Sequence, residues 1–422
     1  MIMADDDLNS ARKSYAGVFF ALFVGYCTYT VARRAVVIVT RDLQGQMLLS
    51  NSDIGAINSS FSIAYGMSKF FAGVATDLVS SNFLFAGGLF FAGLSNLAFP
   101  YSTSLLGFCF FWFLNGLAQG CGWPSLSKIM LRTFPPSIRG SAWGLLTMGG
   151  NVGQSISPVV LTYLYFQYGW RFAFFVPGIG AMVFAIVSYI LISYQQGSKV
   201  SFDADKILRK TKKGNSIESN AFRTKVLRSR KFWLLIFADV LIYFVLKALG
   251  DWTIKLVKED RNYNSMVAST CLSAYESGGV LGTLLTGVIS DRLGSRRNLT
   301  SFLYSLVLLP ALLALYALPK NTPVMAVSTA LFLIGFGVYG PKTMCGLAVR
   351  ETHAEAAGTA GGFLGLAGQI GASIAGYPLG IVVDRYGWNS LYHVMIFSSS
   401  LVSILFYALL NNPAESKKTK TS

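Results

Sequence analysis

Twelve runs of apolar residues fill this chain almost from end to end and leave room for little else. They fall near 15–40, 52–76, 82–101, 105–127, 138–167 and 171–194. After a polar stretch, six more fall near 232–254, 267–290, 299–318, 323–349, 356–383 and 388–411. A helix that crosses the hydrocarbon core needs about 20 such residues, and a barrel strand only about 9–11. Twelve helical crossings therefore use most of the 422 residues. Charged residues make up 13% of the chain, against about 25% in soluble domains. The chain reads as an all-α, multi-pass membrane protein with twelve transmembrane helices and little room for a separate soluble domain. Its 42 glycines suit closely packed membrane helices.

The formal net charge of +16 would suggest nucleic acid in a soluble chain, but the positions of the charges point to topology. With the N-terminus in the cytosol, 23 Lys and Arg fall on the inside and 7 on the outside, as the positive-inside rule requires. Both termini are therefore expected in the cytosol. Met1 to Ser14 are polar and acidic, so no cleavable signal peptide is expected and the first apolar run serves as an uncleaved one. Five scattered cysteines and two histidines argue against a disulfide framework, a metal site or any cofactor.

An internal repeat sets the architecture. Gly73-Val-Ala-Thr-Asp77 recurs as Gly287-Val-Ile-Ser-Asp291, and Phe113-Leu-Asn-Gly116 as Phe332-Leu-Ile-Gly335. Asn151-Val-Gly153 resembles Gln369-Ile-Gly371, and Tyr168-Gly-Trp170 recurs as Tyr386-Gly-Trp388. All four pairs share nearly one displacement along the chain. Six spans in each copy give the halves the same orientation, a parallel repeat about an axis along the membrane normal. The expected organisation is a first half over 1–194, a basic cytosolic linker over 195–231, a second half over 232–411 and a cytosolic tail over 412–422. The linker carries eleven basic residues and reads as solvated.

Charges inside membrane spans are costly and mark functional candidates. The basic ones are Arg33, Arg34, Lys69, Lys247 and Lys342; the acidic ones are Asp239, Asp251 and Glu276. Lys247 follows Arg33 by the same displacement that separates Asp291 from Asp77. The repeat therefore sets one cation in span 1 opposite one in span 7. Two such cations suit a doubly charged anion. A phosphate monoester, with three oxygens and a charge of about −1.5 to −2 at neutral pH, fits. Arg34 and Lys342 have a second reading, snorkelling to the interface. Unpaired cations in low dielectric must hold an anion or borrow a carboxylate. Asp251 and Glu276 are near enough in sequence to lend one, which makes reorientation without cargo costly and favours exchange of one anion for another.

Ser62, Tyr65 and Lys69 share one face of span 2, at i, i+3 and i+7, and Gln119 and Trp123 share one of span 4, at i and i+4. An ammonium, a phenol, an amide and an indole suit sugar hydroxyls. For Tyr65 and Trp123 packing is the competing reading, and for Gln119 an interhelical hydrogen bond. Asn151 in span 5 is equally divided.

Asp77 and Asp291 at the cytosolic ends of spans 2 and 8, with Gly287 to Arg297 reading GVISDRLGSRR, resemble the loop motif of the major facilitator superfamily. The resemblance implies its two-times-six-helix fold and a gate at Asp77, Asp291 and Arg292. In the first copy Asp77 is followed by Leu78 and no arginine. The segments AYGMSKFFAG (64–73), FLNGLAQGCGWP (113–124) and YESGG (275–279) resemble the organophosphate/phosphate antiporters. Within that family, span 4 is most similar to the endoplasmic-reticulum glucose-6-phosphate translocases. The resemblance covers about 15–410. It implies alternating-access exchange of a sugar phosphate, glucose-6-phosphate first, for inorganic phosphate. Arg33 and Lys247 would grip the phosphate, and Tyr65, Lys69, Gln119 and Trp123 would line the cavity. The family's W-P-P-C is here Trp123-Pro124-Ser125-Leu126, and Gly150 stands where bacterial members carry a histidine before the Asn-x-Gly. Lys342 is an added charge, either a further site cation or a partner for Glu351.

Lys418 and Lys420 resemble a dilysine retrieval signal, which places the chain in the endoplasmic reticulum, with the plasma membrane as alternative. By resemblance only, a lumenal sugar phosphatase is a functional partner. No phosphate-binding P-loop and no nucleophile–base pair appears, so neither an ATP-driven pump nor an enzyme is expected. A sugar-phosphate sensor that binds without transporting and a proton-coupled carrier using Glu276 remain as alternatives.

Overall fold

The computed structural model describes residues 5–134, 136–197, 226–352 and 357–410. Side chains at 73–78 and most of those at 136–144 are outside the description, as are the greater part of the basic linker and the tail lysines. Helices account for nearly all of it, and no strand occurs among the described residues. They are α1 (Asp5–Ala32), α2 (Ala35–Met47), α3 (Asn51–Leu78), α4 (Ser81–Ala98), α5 (Leu105–Gly120), α6 (Gly122–Thr133), α7 (Pro136–Tyr168) and α8 (Phe172–Gly197). Then come α9 (Arg230–Arg261), α10 (Ser265–Arg292), α11 (Arg297–Ala317), α12 (Val324–Thr352), α13 (Ala357–Ile374), α14 (Tyr377–Tyr386) and α15 (Trp388–Leu410). Among the described residues, nine helical spans are long and apolar enough to cross a bilayer. Three further helices, α3, α7 and α10, run for 28, 33 and 28 residues. They carry polar candidates such as Lys69, Asn151 and Glu276.

Three expected spans are interrupted. Span 1 breaks at Arg33 and Arg34 between α1 and α2, span 4 at Cys121 between α5 and α6, and span 11 at Ala375 and Gly376 between α13 and α14. An apolar scan sees no gap there, because a break in the hydrogen-bond ladder needs no polar residue if the freed groups find partners. Trp252 supplies one: its indole Nε1 donates to the Ala375 carbonyl at 2.8 Å. Several helices also outrun their apolar runs. α9 reaches Arg261, with Lys258 and Arg261 in its last turn, where cations suit the helix dipole. Arg261 is not an exposed charge at the helix end. It is buried, and its guanidinium donates to the carbonyls of Leu315 (2.6 Å), Pro319 (3.0 Å) and Leu318 (3.3 Å), closing the end of α11.

The helices form two compact units. The first comprises 1–47 with 60–213; the second comprises 48–59 with 214–422. The opening turns of α3, placed in the first half by the sequence boundary, thus belong to the second unit. There the Asp384 carboxylate accepts hydrogen bonds from the backbone N–H of Asn51 (3.0 Å) and Ser52 (2.7 Å), at the positive end of the helix dipole. The Ser59 hydroxyl donates to the Ser373 carbonyl at 2.7 Å and accepts from the Tyr377 N–H at 2.8 Å.

Within the units the packing repeats. In the first, α1 lies on α7 and α8, and α4 on α5 and α8. In the second, α9 lies on α13 and α15, and α11 on α12 and α15. These are the same pairs counted along each half. The repeated motifs do corresponding jobs. A Cβ on Gly116 would lie 2.5 Å from the Phe61 carbonyl oxygen, and one on Gly335 would strike the Tyr275 carbonyl. Phe61 and Tyr275 are themselves related by the displacement that relates Asp77 to Asp291. Gly169 (φ 92°) and Gly387 (φ 73°) take the left-handed conformation, which a side chain would disfavour. These turn the chain out of α7 and α14.

Candidate functional site

In the first unit the cations gather on one tyrosine. Arg33 stands at the break between α1 and α2, where the chain leaves helical geometry. Tyr65 on α3 is buried, and its ring stacks on Phe61 at 5.7 Å and 13°. The Lys69 Nζ lies 4.5 Å from the centre of the Tyr65 ring and the Arg33 Cζ 5.7 Å from it, within cation–π range. The Tyr65 hydroxyl also interacts with both cations. Among the described residues, no carboxylate pairs with Arg33 or Lys69, and the Arg33 Nε is buried without a hydrogen-bond partner. A half-buried cation beside aromatic groups and no carboxylate is poorly compensated, and its strongest partner is an anion.

The cluster extends along α1. Tyr26, two turns before Arg33, interacts with Arg33 and Tyr65 through its hydroxyl. Trp123 on α6 packs against it, ring centres 5.1 Å apart and tilted by 50°. The sequence does not single out Tyr26, because an aromatic in an apolar run has no contrast. Its spacing of seven from Arg33, one helix face, is the available signal. Trp123 also packs against the apolar core of this unit.

Gln119 is 3% exposed. Its amide donates to Asn115 Oδ1 at 2.7 Å, and Asn115 in turn donates to the Ala92 carbonyl of α4 at 3.4 Å. Gln119 thus starts an amide chain that ties α5 to α4. Asn151 is half-buried on α7. One turn on, Gln154 accepts a hydrogen bond from Arg34 Nη2 at 3.3 Å. Arg34 is 5% exposed, so it does not snorkel: its guanidinium is held inside the unit.

In the second unit the charges are paired differently. Lys247 Nζ lies 2.9 Å from Asp251 Oδ1, one turn along α9. Tyr339 of α12 donates its hydroxyl to Glu276 Oε2 of α10 at 2.6 Å, and Glu276 is 3% exposed. Lys342 Nζ sits 4.7 Å from the Tyr339 ring centre and 5.6 Å from that of Tyr243. The structure thus gathers Arg33, Tyr65, Lys69 and Trp123 in one unit, and Lys247, Asp251, Glu276 and Lys342 in the other.

Of the residues expected to form a gate, Asp291 and Arg292 end α10. Asp291 pairs with Arg297 at 2.9 Å, and Arg297 also reaches Glu351 at 3.1 Å. One guanidinium therefore joins the ends of α10, α11 and α12. Arg292, the arginine chosen from the motif, is exposed. The turn through Gly294 and Ser295, both at positive φ, brings Arg297 back to Asp291 instead. Glu351 is engaged by Arg297, so the pairing of Lys342 with Glu351 is not what forms. The Asp77 side chain lies outside the described residues.

Three comparisons place this geometry. The chain matches the Major Facilitator Superfamily over residues 18–376. It is 34% identical to a probable hexose phosphate transport protein of Chlamydia muridarum, covering 100% of this chain and 96% of the relative. It is 30% identical to the membrane sensor protein UhpC of Escherichia coli, covering 97% and 96%. In fold it is similar to a bacterial homologue of the human lysosomal transporter Spinster, with a TM-score of 0.72, 15% identity and coverage of 94% and 96%.

Proposed function

Starting from the fact that this chain belongs to the major facilitator superfamily and is a transporter rather than an enzyme, we propose that it exchanges a sugar phosphate for inorganic phosphate by alternating access. The observation that carries this reading is the pair of cations on Tyr65, Arg33 and Lys69, with no carboxylate beside either among the described residues. A phosphate monoester offers three oxygens and close to two charges. Arg33 presents its fork to two of the oxygens and Lys69 adds a compact charge. Tyr65 holds both cations in place. Tyr26 and Trp123 extend the surface toward the sugar, with Gln119 and Asn151 behind it. A hexose 6-phosphate, glucose-6-phosphate foremost, is the reference cargo, in keeping with the relative named for hexose phosphate.

Exchange follows from how charge is balanced. Lys247 has Asp251 at 2.9 Å and does not require cargo to be neutral. Arg33 and Lys69 do. Reorientation with that cluster empty moves bare charge through low dielectric, which costs far more than moving it with an anion bound. Inorganic phosphate offers these cations the same oxygens and nearly the same charge as the phosphoryl group of the ester, and so it is the return cargo of this reading. Glu276 accepts the Tyr339 hydroxyl at 2.6 Å, which holds this carboxylate in place within the second unit.

A second reading has its own support: the relative named as a membrane sensor suggests a protein that binds a sugar phosphate and does not carry it. Both relatives named above come from bacteria. That favours a plasma membrane over the endoplasmic reticulum and removes the ground for a lumenal phosphatase partner. The test is reconstitution into liposomes loaded with phosphate, followed by labelled glucose-6-phosphate uptake. Uptake that needs internal phosphate and disappears in Arg33→Ala supports exchange. Saturable binding without uptake supports the sensor. The absence of both rejects the sugar-phosphate reading.

A further inference from the structure

Gly150 has no part in that scheme, yet the side chain it touches does. It is buried on α7, immediately before Asn151. A Cβ built on it would lie 2.6 Å from Cε1 and 3.0 Å from Cδ1 of the Tyr26 ring. The same ring packs against Trp123, centres 5.1 Å apart, so it is held from α6 as well as from α7. Cε1 is the ring carbon next to the one that carries the hydroxyl. An atom pressed on Cε1 therefore swings the hydroxyl.

The second half repeats the device. Gly368 of α13 follows Gly150 by the displacement that relates Tyr168-Gly-Trp170 to Tyr386-Gly-Trp388. A Cβ on Gly368 would lie 2.8 Å from Cδ2 and 2.9 Å from Cε2 of Tyr243 on α9. Lys342 leans on that ring, and it follows Trp123 by the displacement that relates Phe113-Leu-Asn-Gly116 to Phe332-Leu-Ile-Gly335. In each unit a glycine seats a tyrosine from the first span of its half, and a side chain from the fourth span of that half leans on the ring. Two occurrences at one place in the repeat argue against a chance close approach.

In the first unit the seated hydroxyl interacts with Arg33. A guanidinium has donors and no acceptor, so the phenol oxygen accepts from Arg33, and its direction bears on that of the fork. The fork is strong because it meets two oxygens at once, and a small rotation loses one of them. We propose that Gly150 is a positioning residue of the phosphate grip: by carrying no side chain, it seats Tyr26 with its hydroxyl on Arg33 and so aims the guanidinium at the phosphoryl group of the cargo. The inference rests on the sugar-phosphate reading above, and Gly150, Tyr26, Arg33 and Trp123 all belong to the first unit.

The experiment measures binding of inorganic phosphate to the purified full chain by calorimetry in detergent, for the unaltered protein, Gly150→Ala, Tyr26→Phe and the double variant. Gly150→Ala is expected to weaken phosphate binding about tenfold, the low end for a charge-assisted hydrogen bond, and Tyr26→Phe should do the same. The two losses should not add. The ring left by Tyr26→Phe still meets the new methyl group but has no hydroxyl to misdirect, so the double variant should bind as Tyr26→Phe does. A helix that merely needs room at Gly150 would lose affinity again in the Tyr26→Phe background, and that result overturns the proposal. So does unchanged phosphate binding in Gly150→Ala. Melting curves show which variants fold. Where Gly150→Ala does not, Gly150→Ala with Tyr26→Ala, which removes the clash, is compared with Tyr26→Ala: equal phosphate binding supports the proposal and a further loss overturns it. Phosphate binding without coupling between the two positions removes this inference alone. No phosphate binding by the unaltered chain removes the sugar-phosphate reading and this inference with it.

Discussion

Arg33 sits at a break in its helix with a buried Nε that has no hydrogen-bond partner, and truncating it should be decisive. Arg33→Ala is expected to weaken phosphate-ester binding by at least about 100-fold, since it removes a forked, charge-assisted contact of about 3 kcal/mol or more. Arg33→Lys should recover only part, because a point charge lacks the fork. Calorimetric titration with glucose-6-phosphate in detergent checks both. If Lys247 also meets the phosphate, as its place in the repeat leads one to expect, its partner Asp251 at 2.9 Å competes with the cargo, and Asp251→Asn should tighten phosphate binding several-fold and slow exchange. Displacement of labelled ester by phosphate would show it, and weaker phosphate binding would refute it. The membrane-buried charges are legible in the sequence because each interrupts an apolar run. Which partner each one takes is not. Arg34 turns to Gln154, Gln119 to Asn115, and Asp291 to Arg297 rather than Arg292. Each choice depends on where a neighbouring helix or turn places its atoms, and spacing along one chain does not encode that.

Helices here approach as closely as their glycines permit. Gly116→Val would push a branched side chain against the Phe61 carbonyl, 2.5 Å from the position of its Cβ, and Ala64, 2.9 Å from it. Overpacking of this kind costs about 1–3 kcal/mol and should lower Tm by about 2–4 °C per kcal/mol in a detergent melt. Gly45→Val, where no atom lies within 4 Å of the Cβ position, is the control for substituting glycine alone. The repeated motifs that announce the fold are thus the contact points themselves, and that is why weak similarities at nearly one displacement are informative. The interruptions at Arg33–Arg34, Cys121 and Ala375–Gly376 are invisible to the same reading. Hydropathy reports how apolar a segment is and is silent on whether its hydrogen-bond ladder runs unbroken.

Taken whole, the chain spends its charge on orientation and its polar residues on a few helices. The bias of 23 inside to 7 outside cations predicts that both ends face one side. Cysteines introduced at Ser10 and Ser422 should react with an impermeant thiol reagent only when the cytosolic face is opened. Opposite accessibility would overturn the parallel repeat. The duplicated glycine–carbonyl contacts carry a longer story. Gly116 with Phe61 and Gly335 with Tyr275 have kept one geometry, while Arg33 and Lys247, or Trp123 and Lys342, have drifted apart in chemistry. Backbone approach is thus common to both halves, while the side chains beside it are particular to each. A matched pair of substitutions should therefore act alike in the two halves at the glycines and unlike at the charges, because one packing geometry is shared and the polar chemistry is not.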